Sequence, residues 1–160
     1  MLAKDIMRTD VITVAPYLTL MELAKLFDER RISGAPVVDG DGRLLGVISQ
    51  TDLVHAERED AAGGAPRYHR GGDGRESAAG FHFEDPDRSR VQDFMTPGAI
   101  AFEEDAPVAK IARTMLDKRV HRVLITRGGK LRGIVTTMDM LRALLAATEK
   151  ESAAPKGRRR

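Results

Sequence analysis

The chain has 160 residues, of which 42% are hydrophobic and 31% are charged, as expected for one soluble globular domain or two very small ones. No apolar run approaches the roughly 20 residues that span a bilayer, and the absence of cysteine excludes disulfides, thiolate zinc sites and a cysteine nucleophile. The net charge is +2, but the last five residues hold four basic side chains, so the other 155 residues sum to −2.

An internal repeat organises the sequence. Asp5–Met7 recurs 88 residues later as Asp93–Met95, and a one-residue deletion then changes the offset to 87. Ser49-x-x-Asp52 consequently matches Thr136-x-x-Asp139. Because apolar character is kept at nearly every matched position, we expect two copies of one unit, each ordered strand, helix, strand, strand, helix.

The first copy opens with a predicted strand, Val11–Val14, followed by a helix. The helix start is marked by Thr19 and Glu22, which have the spacing of a capping box. The helix runs to about Arg31, and apolar residues recur along one face at the spacing of an amphipathic helix. These residues are Leu20, Leu23, Ala24 and Phe27.

Each copy continues with two apolar, β-branched runs that a glycine-containing turn connects. Ala35–Asp39 and Leu44–Ser49 flank a Gly-Asp-Gly turn, whereas Val123–Thr126 and Leu131–Thr136 flank Gly128-Gly129. This arrangement predicts a hairpin in each copy. A second helix is expected after each Ser/Thr-x-x-Asp.

Residues 55–90 interrupt the repeat. This 36-residue stretch holds six of the fifteen glycines and fourteen charged residues, which predicts a flexible, solvated loop. Phe81–Phe83 is its only apolar alternation and indicates at most a short strand. His55, His69 and His82 lie here, but no pair has the short spacing of a zinc site, so no metal site is predicted.

The last predicted helix, Thr137–Ala147, is apolar on nearly all sides. Asp139 and Arg142 form its polar strip, and a helix of this kind is buried on nearly all sides. Two small repeats leave little room for such burial, so we expect a homodimer in which these helices form the partner surface. Residues 148–160 are predicted to be a basic, disordered tail. The apolar residues of the helix are Met138, Met140, Leu141, Leu144 and Leu145.

These patterns resemble the cystathionine-β-synthase (CBS) domain. The resemblance rests on the Asp-x-Met segments, on Ile32–Asp39 and Gly46–Asp52 in one copy, and on Val120–Ile125 and Gly133–Asp139 in the other. It implies an α/β (α+β) fold in which two β-α-β-β-α repeats, at 1–54 and 91–147, pack as a pseudo-symmetric pair. It also implies that AMP, ADP, ATP or a related adenosyl compound binds in a cleft between the repeats and regulates another protein.

The two Ser/Thr-x-x-Asp turns are the main candidate ligand-binding residues. Thr136 and Asp139 have the spacing of a helix N-cap and an acidic first turn, and this capping role alone accounts for them. A carboxylate at such a turn can also accept both hydroxyls of a ribose, while free amides and the threonine hydroxyl contact a phosphate. The resemblance implies this second role for Thr136 and Asp139 first, and also for Ser49 and Asp52.

His121 and Arg122 precede a strand where the resemblance implies phosphate contacts. Arginine supplies a planar fork of donors and histidine one more; the alternative is a pair of solvated surface residues. The matched Ser33 and Gly34 are uncharged, so we expect two unequal sites or a single one. Walls for an adenine ring are expected from four residues that are also core candidates: Ile12, Ala35, Ile100 and Val123.

The sequence therefore favours a non-enzymatic, cytoplasmic regulatory module with an adenine nucleotide as regulatory ligand and no required cofactor. No nucleophile elbow, P-loop or dinucleotide glycine pattern is present. One alternative is a structural dimerisation module with empty clefts, and another is a metal-dependent enzyme built on the insert. No membrane partner is expected, and nucleic acid is disfavoured because a bare basic tail is usually only solvated. The regulated protein is not indicated.

Overall fold

The computed structural model describes residues 1–62 and 89–153, which fall into two compact units. Unit 1 consists of Met1–Val11 and the chain from Ile100 onwards, and unit 2 is Ile12–Ala99. Each unit contains helices and one three-stranded sheet, so the predicted mixed α and β fold is confirmed. The residues before Ile12 therefore belong to the unit that is built from the second repeat.

Unit 2 contains the first helix and the first hairpin of the chain. A later segment of the chain adds a third strand to that hairpin. Thr19 caps the first helix as predicted, since its amide donates to Glu22 Oε2 at 2.9 Å and its Oγ1 accepts from the Glu22 amide at 3.2 Å. The sheet order is β1-β2-β3, with both pairs antiparallel. The elements are α1 (Leu20–Arg30), β1 (Gly34–Val38), β2 (Leu44–Ser49), α2 (Gln50–Ala62), α3 (Val91–Phe94) and β3 (Thr96–Pro97).

Unit 1 contains the complete strand, helix, strand, strand, helix order predicted for a repeat. Its sheet has the order β4-β5-β6, with β4 parallel and β6 antiparallel to β5. The buried core of the unit includes Ile111, Val123, Ile125 and Val135. The elements are β4 (Ala101–Glu103), α4 (Val108–Lys118), β5 (Arg122–Arg127), β6 (Lys130–Thr136) and α5 (Thr137–Ala153).

The predicted strand Val11–Val14 is wrong, because Val14 forms only an isolated parallel bridge with Val37. The next bonds of a parallel ladder would run from the amide of residue 36 to the carbonyl of Ile12 and from the amide of residue 16 to the carbonyl of Val38, and neither Pro36 nor Pro16 has an N–H to donate. In unit 1 the matched residues do donate, Leu124 to Ile100 O and Glu104 to Thr126 O, both at 3.0 Å, and there the strand β4 forms.

Two helices are longer than predicted. α2 extends to Ala62, so residues 55–62 are helical and the prediction of a flexible loop was wrong for them. The reason is that Leu53 and Ala56 anchor the helix in the core, both with no exposed surface. α5 likewise extends to Ala153 through residues predicted to be a disordered tail, since no proline interrupts it before Pro155. Phe81–Phe83, His69, His82 and residues 154–160 lie outside the described residues.

Candidate functional site

The turn between β6 and α5 in unit 1 holds a buried carboxylate. Asp139 is only 5% exposed, and its Oδ2 accepts hydrogen bonds from the Thr136 amide at 2.9 Å and the Thr136 hydroxyl at 2.6 Å. The Asp139 amide donates back to Thr136 Oγ1 at 3.4 Å. The capping arrangement expected for Thr136 and Asp139 is therefore present.

The other oxygen of Asp139 lies between two guanidinium groups. Arg8 Nε and Arg142 Nη1 each donate to Oδ1 at 3.0 Å. Arg142 is on α5 itself, three residues further on, whereas Arg8 comes from the first segment of the chain, 131 residues away. Both oxygens of the carboxylate therefore each accept two donors.

A glycine allows the backbone of Arg8 to reach this position. Arg8 N donates to Ile134 O and Ile134 N to Arg8 O, both at 2.9 Å. A Cβ at the neighbouring Gly133 would lie 2.6 Å from Arg8 O and 2.9 Å from the sulfur of Met7, closer than any side chain permits. Gly133 is thus required for the approach that brings Arg8 to Asp139.

The hydrogen bonds decide the ionisation of Asp139. Burial by itself raises the pKa of this carboxyl, but hydrogen bonds from Thr136 and the hydrogen bond and charge of Arg8 outweigh it, so the pKa lies below its usual value. Asp139 is consequently a carboxylate at neutral pH. It is a pure acceptor, with about four lone-pair positions that already face four donors.

The matched turn in unit 2 has the same cap and a different surrounding. Asp52 Oδ2 accepts from the Ser49 amide and the Ser49 hydroxyl, both at 2.7 Å. Within residues 1–62 and 89–153, Asp52 Oδ1 accepts no hydrogen bond. The residues that match Arg8 and Arg142 are Thr96 and His55, both exposed and neither bonded to Asp52. The two turns therefore share the cap and differ in the cations around the second carboxylate oxygen.

Arg122 lies on β5, opposite the end of β6 where the unit 1 turn begins. It is exposed and pairs with Thr136 in the register of β5 and β6, and opposed residues of an antiparallel pair start on one face about 5 Å apart. The matched pair in unit 2 is Gly34 and Ser49, so no side chain projects there. Arg122 and Thr136 therefore project from the same face of the sheet, and unit 1 has a cation on that face.

His121 is exposed at an apolar cavity of about 480 Å³ in unit 1, and neither Arg122 nor Asp139 lines that cavity. The His121 carbonyl accepts from the amide and hydroxyl of Thr137, at 3.0 and 3.2 Å. The structure therefore does not bring His121 to the carboxylate. The other lining residues are Ala112, Met115, Leu116, Arg119, Val120, Thr137 and Met140.

The four residues expected to wall an adenine ring are divided between the units. Ala35 and Val123 are core residues, 4% and 1% exposed. Ile12 in unit 2 and Ile100 in unit 1 are half-buried and keep surface that a ligand can cover. Only these two have apolar surface available for contact.

α5 presents an apolar face to solvent within unit 1. The side chains of this face are about half exposed or more. The exposed fraction is 48% for Leu141, 60% for Leu144 and 61% for Leu145. Met138 adds 55%, and Leu116 of α4 is 78% exposed. In the polar strip, in contrast, Arg142 donates to Asp139, and Asp139 also accepts from Arg8.

Sequence reasoning missed Arg8. The available signal was its place one residue after Asp-x-Met, where the second copy has Thr96, but a lone arginine near the start of a chain carries no pattern. No cluster of three or more histidine, aspartate or glutamate side chains suited to a metal ion occurs in the described parts of the chain. Among the same residues, no helix is both long and apolar enough to cross a bilayer.

Comparison with known proteins places these features in a family. The CBS domain model matches residues 3–59 and 91–146. The uncharacterized protein YlbB of Bacillus subtilis is 27% identical over 138 residues, which cover 86% of this chain and 78% of YlbB. Other relatives are longer, and this chain spans only 23% of one of them.

Solved structures agree with the family match. The crystal structure of CBSX2 in complex with AMP superposes with a TM-score of 0.68 at 24% identity, covering 92% of this chain and 98% of CBSX2. The CBS domain pair of protein MJ0100 in complex with 5'-methylthioadenosine and S-adenosyl-L-methionine superposes with a TM-score of 0.63 at 25% identity, covering 90% and 99%.

Proposed function

The chain belongs to the CBS domain family, and on this premise we propose that it is a non-enzymatic regulatory module that binds an adenosyl ligand. The observation that carries the proposal is the Asp139 turn, where a buried carboxylate and a threonine hydroxyl meet at a strand-to-helix junction opposite the exposed Arg122. The AMP bound to CBSX2 and the adenosyl compounds bound to MJ0100 support this ligand class.

The proposed contacts follow the chemistry of each group. Asp139 accepts the ribose hydroxyls, because it is ionised and can only accept. Thr136 and Arg122 contact phosphate, since a hydroxyl, helix amides and a guanidinium all donate. Ile100 contacts the adenine ring of a ligand at the unit 1 turn, and Ile12 that of a ligand at the unit 2 turn, because both keep apolar surface.

The remaining predicted residues have smaller roles in this proposal. Ser49 and Asp52 form a second, weaker site that has no cation opposite its hydroxyl. Ala35 and Val123 support the walls from the core, and His121 has no contact with the ligand in this proposal. The ligand is the signal and no other cofactor is required.

Ligand binding would act by population shift. It stabilises the conformations in which the turns are ordered for binding, by no more than the difference in affinity between conformations. A cytoplasmic location accords with the absence of cysteine, and the regulated partner would read the shifted conformation.

Thermal unfolding with AMP, ADP, ATP and S-adenosylmethionine tests the proposal. A ligand at 100 times its dissociation constant adds about 2.7 kcal/mol to the stability of a protein that binds it only when folded. We expect such a shift with at least one compound, and we expect Asp139→Ala to remove most of it relative to its own ligand-free state.

Glu22→Ala is the matched control, because Glu22 forms an equivalent cap with Thr19 on α1. This variant should lose stability and keep its ligand-induced shift. Absence of a shift with every adenosyl compound would contradict the ligand proposal and leave the module with empty sites.

A homodimer is the second proposal, supported by the exposed apolar face of α5. A second copy of the chain is the occupant we propose, because one apolar helix face can pair with itself about a two-fold axis. Sedimentation at micromolar concentration should give twice the chain mass. Leu144→Glu should give monomers, whereas Tyr17→Glu, at a residue 71% exposed in unit 2, should not. A monomeric parent chain would contradict the proposal.

A further inference from the structure

We infer that Arg8 is a specificity-determining residue of the Asp139 site, and that it makes this site prefer ribosyl ligands carrying phosphate over uncharged ones. The inference rests on the proposed binding of ribose by Asp139. It concerns a residue outside every motif discussed above.

The Asp139 carboxylate is already surrounded by four donors. Two hydrogen bonds from Thr136 occupy Oδ2, and Arg8 and Arg142 occupy Oδ1 at 3.0 Å each. A ribose hydroxyl that donates to Oδ1 must therefore take the place of a guanidinium. Displacement is part of binding at this turn.

Arg8 is the guanidinium whose fate depends on the ligand. Its backbone is held by two hydrogen bonds to Ile134, so the side chain stays beside the turn after it leaves Asp139. The side chain is 54% exposed, and in the described part of the chain its only side-chain bond is the one from Nε to Asp139. It is therefore free to swing to a new anion.

Charge then distinguishes the ligands. An uncharged ligand such as adenosine separates Arg8 from its carboxylate and offers no replacement. A phosphate supplies a new anionic acceptor for the same guanidinium, and charge-assisted hydrogen bonds of this kind are the stronger ones. Arg8 thus lowers the affinity for a ribosyl ligand without phosphate and raises the affinity for one that carries phosphate.

In unit 2, no described residue places a guanidinium on the carboxylate of the turn. Asp52 Oδ1 accepts no hydrogen bond from the described residues, and Thr96 occupies the position that matches Arg8. A ribose hydroxyl reaches Asp52 without displacing a cation, so no preference of this origin is expected there.

Isothermal titration with AMP and with adenosine tests the inference in the full chain carrying Asp52→Ala, which silences the unit 2 site. The measured quantity is the ratio of the adenosine and AMP dissociation constants. Arg8→Thr installs the residue found at the matched position, and we expect it to lower the ratio by about fivefold, the upper range for one exposed ion pair.

Arg127→Thr is the control for loss of a cation from unit 1. Arg127 is 63% exposed and donates from Nε to Glu104 at 2.6 Å, away from Asp139, so its removal should leave the ratio unchanged. Arg8→Gln removes the charge but keeps a donor nitrogen at the position of Arg8 Nε, and it provides the same readout if Arg8→Thr does not fold in a thermal unfolding check.

The possible failures are distinguishable. If AMP binds and the ratio in Arg8→Thr, or in Arg8→Gln where that variant replaces it, stays within twofold of the parent value, the inference is overturned while the proposed function stands. If neither AMP nor adenosine binds the parent chain, the proposed function fails and the inference falls with it.

Discussion

The two strand-to-helix turns share one local design and differ in what surrounds it. In both, a carboxylate three residues after a serine or threonine accepts the amide and hydroxyl of that residue. In unit 1 the second carboxylate oxygen binds Arg8 and Arg142, whereas none of the described residues of unit 2 places a cation on Asp52. The cap is therefore formed by residues of the turn itself, whereas the charge around the carboxylate depends on other residues of the unit.

Blocking the close approach of the segments after Asp-x-Met to Gly133 and Gly46 should have the largest effect on stability. A Cβ at Gly133 would meet Arg8 O at 2.6 Å, and one at Gly46 would meet Thr96 O at 2.5 Å. Backbone cannot yield cheaply, so we expect Gly133→Ala and Gly46→Ala each to cost about 3 kcal/mol, as overpacking does. Urea unfolding measures both, and an unchanged midpoint for either glycine would break the symmetry between the units.

Removing the carboxylate should cost more stability in unit 1 than in unit 2. Asp139→Ala removes a cap and leaves two guanidinium groups without their partner, whereas Asp52→Ala removes the cap alone. We expect a loss of about 2 kcal/mol for Asp139→Ala and about 1 kcal/mol for Asp52→Ala. Equal losses in chemical denaturation would show that Arg8 and Arg142 contribute nothing to stability.

The difference between β4 and its missing counterpart depends on two amides that donate in unit 1 and are proline nitrogens in unit 2. Leu124 N donates to Ile100 O and Glu104 N to Thr126 O, both at 3.0 Å, whereas the matched Pro36 and Pro16 have no N–H. Leu124→Pro should therefore weaken β4: the lost hydrogen bond costs about 1 kcal/mol, and the loss of a buried leucine side chain adds to that cost. Amide hydrogen exchange should rise at Ala101–Glu103, while unchanged exchange would exclude this explanation of the missing strand.

The smallest expected effect is a pH dependence. Because the pKa of Asp139 is lowered in the folded state, the unfolded chain binds the proton more readily. The stabilisation is present above about pH 4, near the ordinary value of an aspartate, and is lost as pH falls through the lower folded-state pKa.

Unfolding free energies measured between pH 6 and pH 3 check this dependence. Asp139→Asn should show a shallower loss toward low pH than the parent chain. Asp117→Asn, at an exposed position of α4, controls for the loss of one carboxylate and should follow the parent. Identical slopes for the parent and Asp139→Asn would contradict the lowered pKa.

Local features were predictable because their causes lie within a few residues. The capping box at Thr19 and the hairpins were expected from spacing and turn residues, and they are present. The two-copy pattern likewise indicated the family. The missing strand was not predicted, because it depends on which amides donate to the ladder: Pro36 lies in a neighbouring strand whose register the sequence does not state, and Pro16 interrupts the ladder only in that same register.

The sequence by itself determined the repeated units, their caps and the CBS family, since amphipathic periodicity and turn chemistry act over short distances. The tertiary structure alone decided that Arg8 meets Asp139 across 131 residues, and that Met1–Val11 belongs to the unit of the second repeat. The physical reason is that a backbone bridge to Ile134, possible only beside a glycine, brings distant charges together. No local pattern encodes that pairing.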